Sequence, residues 1–175
     1  MNVFISGSMS IDKLPKEAIV KLDNIIEKGI NVLIGDANGV DLQVQKYLKE
    51  KNYSNVIVYY NGKEIRNNVG SWKTKFIETK FTMRHLFYVE KDRAMVKDTD
   101  YGLMIWDGKS KGTLNNIKNM FAAKKKFCVI LDGNIITDKE IDAILSVNSI
   151  SQRKSKQKQI QIPFPETPVQ VARTL

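Results

Sequence analysis

Cysteine is almost absent. The chain of 175 residues has one, Cys128, so an intramolecular disulfide is excluded. It sits in "KKFCVIL", an apolar strand-like run, where a small buried hydrophobe is a simpler reading than a reactive thiol. Histidine is equally scarce, with His85 alone. It stands beside Arg84 ahead of an apolar run, which suits a loop or surface position better than a general base. No Cys, His and acid cluster has metal-ligand spacing, so no metal is expected. No apolar run approaches the ~20 residues that a membrane span needs. "NVFISG" at the N-terminus has neither a basic leader nor a long hydrophobic stretch, so a signal peptide is not expected and a cytoplasmic setting is. G-x-G-x-x-G and Walker A are both missing, and no resident cofactor is expected. There is no internal repeat.

What the chain does have is 42% hydrophobic and 27% charged residues, the balance of a globular protein. Its length suits one domain with a real core and a tail. The net charge of +9 is uneven. Residues 151–175 hold Arg153, Lys154, Lys156, Lys158 and Arg173 against Glu166, a net of +4, which leaves +5 on the rest. The charge points weakly to an anionic partner for the tail and says little about the domain.

Short apolar runs alternate with helix-like stretches. "NVFIS" reads as a strand, and "PKEAIVKLDNIIEKG" as a helix with Ala18, Leu22, Ile25 and Ile26 on one stripe, Pro15 at its start and Gly29 at its end. "NVLIG" is a second strand, and "VDLQVQKYLKEK" a helix facing inward through Val40, Val44, Tyr47 and Leu48. "NVIVYY" is a third strand. A long polar stretch, Asn61 to His85, follows. "HLFYV" reads as a short strand and "EKDRAMVKDTD" as a short helix. Then come "YGLMIW" (strand), "GTLNNIKNMFAAKK" (helix) and "KFCVIL" (strand). Such alternation predicts an α/β fold, a Rossmann-like open parallel sheet with helices on both faces. The strands are apolar throughout, as in a sheet covered on both sides. The domain is expected over residues 1–132, with a short, partly helical extension over 133–150 and a basic, proline-containing tail over 151–175. That tail reads as solvated, or as docking through "IQIPFP".

In an open parallel sheet, ligands bind beyond the carboxyl ends of the strands. The residues that follow each strand are therefore the candidates. They are Ser6, Gly7 and Ser8 after the first, and Gly35, Asp36, Ala37, Asn38, Gly39 and Asp41 after the second. Arg66, Asn67 and Trp72 follow the third, Glu90, Lys91, Asp92 and Arg93 the possible fourth, and Asp107, Gly108, Lys109, Ser110, Gly112, Thr113 and Asn116 the fifth. Glycine lets a backbone turn tightly and lets a ligand come close. A helix starting there turns its free amides toward an anion. The simpler alternative stays open: Gly108 and Gly112 only turn the chain, Thr113 and Asp41 only cap helices, and Asp36 only ends a turn.

These residues carry a resemblance. "VFISGSMSIDKL", "IGDANGVDLQVQKYL", "RNN", "KDRAMVKDTDYGLMIWDGKSKGTLNNI" and "KKKFCVIL" resemble a SLOG-superfamily Rossmannoid protein of the YspA/YpsA-related kind. They are also similar to the lysine-decarboxylase-like phosphoribohydrolases, the DNA-processing protein A fold and the nucleoside 2-deoxyribosyltransferases. The resemblance covers about residues 1–132. It implies a small nucleotide-derived ligand at the carboxyl edge and a homo-oligomer, a dimer. Some members cleave N-glycosidic bonds with a glutamate three residues beyond the Thr or Ser of the "GT/GS" turn. Here that position is Asn116, which has no charge for a cationic transition state. Asp36, Asp41, Asp92 or Asp107 could replace it, with Asp92 and Asp107 the catalytic candidates, or the protein binds without cleaving.

The expected function is therefore a binding or sensing module for a nucleotide-derived ligand. The alternative is an enzyme cleaving or transferring the N-glycosidic bond of a nucleoside, nucleotide or NAD-like substrate. Nucleic acid is set aside as a partner, since the basic residues of the tail are few and lack interleaved aromatics. The stretch from Asn61 to Arg84 is too long for an idle connection. It is expected to fold over the carboxyl edge as a lid with Arg66, Asn67 or Trp72 facing the pocket.

Overall fold

A computed structural model describes residues 1–79 and 84–146, and for 84–88 the backbone alone. The chain divides into two compact units, Met1–Thr137 and Asp138–Leu175. The first holds a seven-stranded sheet in the order β4-β3-β2-β1-β5-β6-β7. Its strands are β1 (Asn2–Gly7), β2 (Asn31–Gly35), β3 (Val56–Tyr60), β4 (Lys73–Phe76), β5 (Tyr101–Trp106), β6 (Lys126–Leu131) and β7 (Asn134–Ile135). All pairs are parallel except β6 with β7. The helices are α1 (Lys16–Glu27), α2 (Val40–Glu50), α3 (Arg84–Asp98) and α4 (Lys111–Ala122). In the second unit residues 138–146 form a further helix.

The chain winds outward from β1 in one direction through α1 and α2, then returns and winds the other way through β5, α4 and β6. Right-handed crossovers then place α1 and α2 on one face and α3 and α4 on the other. Strand alternation supports this. Val3, Ile5, Val32, Ile34, Val56, Val58, Leu103 and Ile105 pack in one cluster with Ala18, Leu22 and Ile25 of α1 and Val40, Val44 and Leu48 of α2. Phe4, Leu33, Tyr59 and Met104, buried at the intervening positions, meet the other face with Met95, Ile117 and Met120. Ile57 and Leu131, apolar positions of β3 and β6, are half-buried.

Two expectations need correcting. "HLFYV" does not form a strand but opens the continuous helix α3. An apolar run that short does not distinguish strand from helix, and no Gly or Pro breaks the chain between His85 and Asp98. The missing strand lies upstream, in "KTKF", exposed at all four positions. It is an edge strand whose lysines guard the edge, and a search for apolar runs passes over it.

Candidate functional site

The crossing from β2 to α2 is built around buried charge. Gly35 is there because of its neighbours: a Cβ would meet Asp41 Oδ2 at 2.3 Å and Lys91 Nζ at 3.0 Å. Asp36 is fully buried. Its Oδ1 accepts from Arg66 Nη2 (2.6 Å) and Lys91 Nζ (3.0 Å), and its Oδ2 from Arg66 Nε (3.0 Å) and the Arg66 backbone N–H (3.2 Å). Burial alone would raise this carboxyl. The Arg66 and Lys91 bonds outweigh it and hold the group at about 2. Asp41 Oδ2 accepts the Ala37 N–H (3.2 Å), and burial pushes its carboxyl up to about 7 despite Lys91. Asn67 Nδ2 donates to the Asp36 carbonyl (2.8 Å) and to Asn38 Oδ1 (3.1 Å). Gln45, buried on α2, donates to the carbonyls of Gly35 and Asn67 and accepts from Val69 N–H. Gly39 closes the crossing at φ 72°, pressed so close to Met9 that a Cβ would lie 2.4 Å from its backbone.

A second group gathers where β1 and β5 end and α4 begins. Ser8 is fully buried. Its hydroxyl donates to Asp107 Oδ1 (2.8 Å), accepts the Asp107 N–H (3.1 Å) and lies 3.4 Å from Thr113 Oγ1. Asp107 Oδ1 also accepts the N–H groups of Lys109 (2.9 Å) and Ser110 (2.8 Å), and its Oδ2 the Ser10 hydroxyl (2.6 Å). Burial opposes ionisation, but these bonds hold the carboxyl well below the usual range. Gly108 turns the loop at φ 72°. Ser110 caps α4 by accepting the Thr113 N–H (3.4 Å) and the Thr113 hydroxyl (3.1 Å). At the helix head a Cβ on Gly112 would meet only Ser110 Oγ, at 3.9 Å. Lys109 and Lys111 flank it, exposed.

One turn further in, Asn116 Nδ2 donates to Ser6 Oγ at 2.8 Å. Asn116 is 3% exposed, and its Oδ1 has no partner among the described residues. Asp92 joins the two groups. Burial pushes its carboxyl up to about 6, against the pull of Lys91, the Asn116 amide and Arg66. Chemically the site offers an open helix head with two lysines, buried hydroxyls beside it, and a carboxyl near the pH where acids and bases exchange protons.

Ser8 connects the two glycine-bearing loops: its carbonyl accepts the Val40 N–H (3.2 Å) while its hydroxyl holds Asp107. Gly7 allows this close approach, since a Cβ would meet the Ile105 carbonyl and Val40 Cγ2 at 2.4 and 2.5 Å. Asp36, Asp41, Arg66, Asn67, Asp92 and Asn116 are brought together, and Arg93 lies exposed one residue on from Asp92. Asp107 is spent on its own loop, with both oxygens occupied, which disfavours it as a catalytic group. Trp72 corrects the lid expectation. It precedes parallel β4 and so lies at the amino edge, its Nε1 donating to the Tyr53 carbonyl (2.8 Å). Among the described residues the stretch through Arg66 and Asn67 sits at the carboxyl edge, and the chain returns there after β4, where the Ile77 N–H meets the Tyr60 carbonyl; residues 80–83 lie outside the described residues. Gln45, a buried polar residue that holds the site, was not among the sequence candidates. Lys91 was, and the helix over 84–98 turns it inward, one turn before buried Met95. The side chain of His85 and the tail from 147 on lie outside the described residues. Among the described residues no group of three or more His, Cys, Asp or Glu could hold a metal ion, and no helix is long and apolar enough to cross a membrane.

No family model matches the chain, and no curated protein does. Among solved structures it is similar to DNA processing protein A from Helicobacter pylori, described for its single-stranded DNA binding mode. The TM-score is 0.56 and the identity 16%, over 74% of this chain and 64% of that one. This chain thus spans 64% of the length of the protein it resembles. The likeness establishes the Rossmann-like fold. It also overturns the expectation that set nucleic acid aside: a similarly folded protein has a single-stranded DNA binding mode, so the modest charge of the tail does not decide the matter.

Proposed function

We propose that this chain is a binding module for a phosphate-bearing, nucleotide-derived ligand at the carboxyl edge of its sheet. The observation that carries the reading is the head of α4. There Gly112 faces open space between Lys109 and Lys111, while Ser8, Asp107 and Ser110 lock the surrounding loops. A helix start of this kind favours phosphate. It lies at the point where the strand order turns back, between β1 and β5, where open α/β sheets bind ligands. The buried hydroxyls of Ser6 and Thr113 and the unpaired Asn116 Oδ1 supply polar partners for the rest of the ligand. The SLOG-like motifs and the similar DNA-binding fold both favour a nucleotide unit, free or within a nucleic acid strand. Asp36, with four protein donors, holds Arg66 and Lys91 in place and is not free to accept ribose hydroxyls.

Thermal shift and calorimetry against AMP, NAD and a nucleoside test this. AMP and NAD should raise the melting temperature and the nucleoside should do so less. The double variant Lys109→Glu/Lys111→Glu, still folded, should lose the effect. Equal binding by that variant would refute the site.

One observation favours a second reading, cleavage of an N-glycosidic bond. Asp92, pushed up to about 6 beside Asn116, is suited to giving and taking a proton near neutral pH.

A further inference from the structure

Both edges of the sheet carry cations. At the carboxyl edge Arg66 and Lys91 are neutralised by Asp36, and Lys109 and Lys111 stand exposed at the head of α4. At the amino edge, where helices end and strands begin, Lys28 caps α1, Lys49 lies in the last turn of α2, Lys73 opens β4, Lys97 lies in the last turn of α3 and Lys126 opens β6. A lysine at a helix end commonly answers the helix dipole, but Lys73 and Lys126 open strands. Among the described residues none of the five forms an ion pair. Of the acids on this edge, Asp98 is taken by Lys75 and Tyr59, and Asp100 accepts the Asn2 N–H. Glu27 and Glu50 remain exposed.

At the β4 end of that edge lies a hollow of about 620 Å³. Lys49, Asn52, Ser71, Trp72 and Lys73 line it, and no acid does. The Tyr53 carbonyl fixes the Trp72 indole. Gly70 lies against the ring so closely that a Cβ would come within 2.3 Å. Asn52 and Ser71 shape the rim with left-handed backbones, both at φ 53°.

We infer that the amino edge is a track for single-stranded nucleic acid. The hollow takes one nucleotide, with its base against Trp72 and its phosphate between Lys49 and Lys73, and the other lysines follow the backbone. An indole with nearby cations is the usual platform for an unpaired base. A duplex keeps its bases stacked and cannot place one in the hollow. From β4 to β6 the edge runs about 24 Å at the usual strand spacing, enough for roughly four nucleotides. The inference is independent of the carboxyl-edge site.

The test is fluorescence anisotropy with a labelled oligo(dT) of about eight nucleotides, on the full chain. Lys49→Glu/Lys73→Glu should weaken binding by about tenfold or more and flatten the slope of log affinity against log salt by about 0.7, one phosphate contact on a single strand. Lys13→Glu/Lys16→Glu, two exposed lysines at the start of α1, changes the net charge equally and should leave affinity within about twofold. Trp72→Phe, checked by circular dichroism for folding, should weaken binding less than the charge reversal. The track is refuted if oligo(dT) does not bind, or if both double variants weaken it alike, which indicates bulk charge. It is also refuted if neither weakens it, which assigns binding to the tail, or if a duplex or anionic vesicles compete equally well.

Discussion

Replacing Asp36 with alanine should cost more stability than any other single change at the carboxyl edge. Asp36 is fully buried and Lys91 is 3% exposed, while the Arg66 side chain is 38% exposed. Deleting the carboxylate leaves the Lys91 ammonium in the interior and removes the clamp on the segment that carries Arg66. Breaking a buried pair from one side costs about 3–5 kcal/mol. Arg66→Ala removes the other end, but Arg66 can regain water and Asp36 keeps Lys91, so its cost should be nearer 1–2 kcal/mol, discounted for exposure. Urea unfolding followed by circular dichroism measures both, and an unchanged m value shows that the shift in midpoint is stability alone. Asp36→Ala/Lys91→Met removes both charges and should cost less than the sum of its single changes by at least ~1 kcal/mol. If Asp36→Ala costs no more than Arg66→Ala, or the double variant is simply additive, the charges are not coupled as the geometry requires.

The carboxyls also set opposing pH dependences. Asp36, held at about 2, stabilises the fold fully above pH ~4 and loses that contribution as pH falls toward 2. Asp41, raised to about 7, binds its proton more tightly in the folded state, so stability falls as pH rises from ~4 to ~7. Asp41→Asn should therefore flatten the decline toward neutral pH in a series of thermal melts, and an unaltered decline would show that Asp41 is not its source. Gly39→Ala should destabilise by more than ~1 kcal/mol in urea unfolding because of its positive φ and the Met9 backbone. Gly29→Asn should be nearly neutral in the same assay, since Gly29 has φ 61° and nothing within 4 Å of a Cβ.

The parallel sheet was legible because β1, β2, β3, β5 and β6 are short apolar runs separated by helical stripes and glycine turns. β4 was not, because an edge strand needs no apolar face and "KTKF" has none. That omission moved Trp72 to the wrong edge: a loop without a strand in it has no reason to cross the sheet, whereas a parallel strand must begin at the opposite end. At the site, sequence position identified the loops that gather, since the carboxyl ends of β1, β2, β3 and β5 contribute polar residues there. It could not tell which carboxylates serve the protein itself. Asp36 and Asp107 look alike as loop acids. Three-dimensional pairing spends one on Arg66 and Lys91 and the other on Ser8, Ser10 and its own loop.

Under the proposed function, Asn116 and Asp92 are the residues on which the choice between binding and turnover rests. An amide at position 116 donates to Ser6 but cannot stabilise a developing positive charge as a carboxylate would. Asp92 could supply that charge only when ionised, and burial keeps it protonated up to about pH 6. A site that binds without cleaving should release no free base from AMP or NAD at any pH between ~5 and ~8, the range across which Asp92 changes charge. Asp92→Asn keeps the shape of the protonated acid, so ligand-induced thermal shifts should persist in that variant. Asn116→Asp places a second carboxyl beside Asp92. One of the pair must then stay protonated, and stability should fall by about 1–3 kcal/mol between pH ~5 and ~8 relative to the parent. Chromatography of the reaction mixture measures any free base directly. Base released by the parent protein, and stopped by Asp92→Asn, would overturn the binding-only reading and make Asp92 the proton-transfer group.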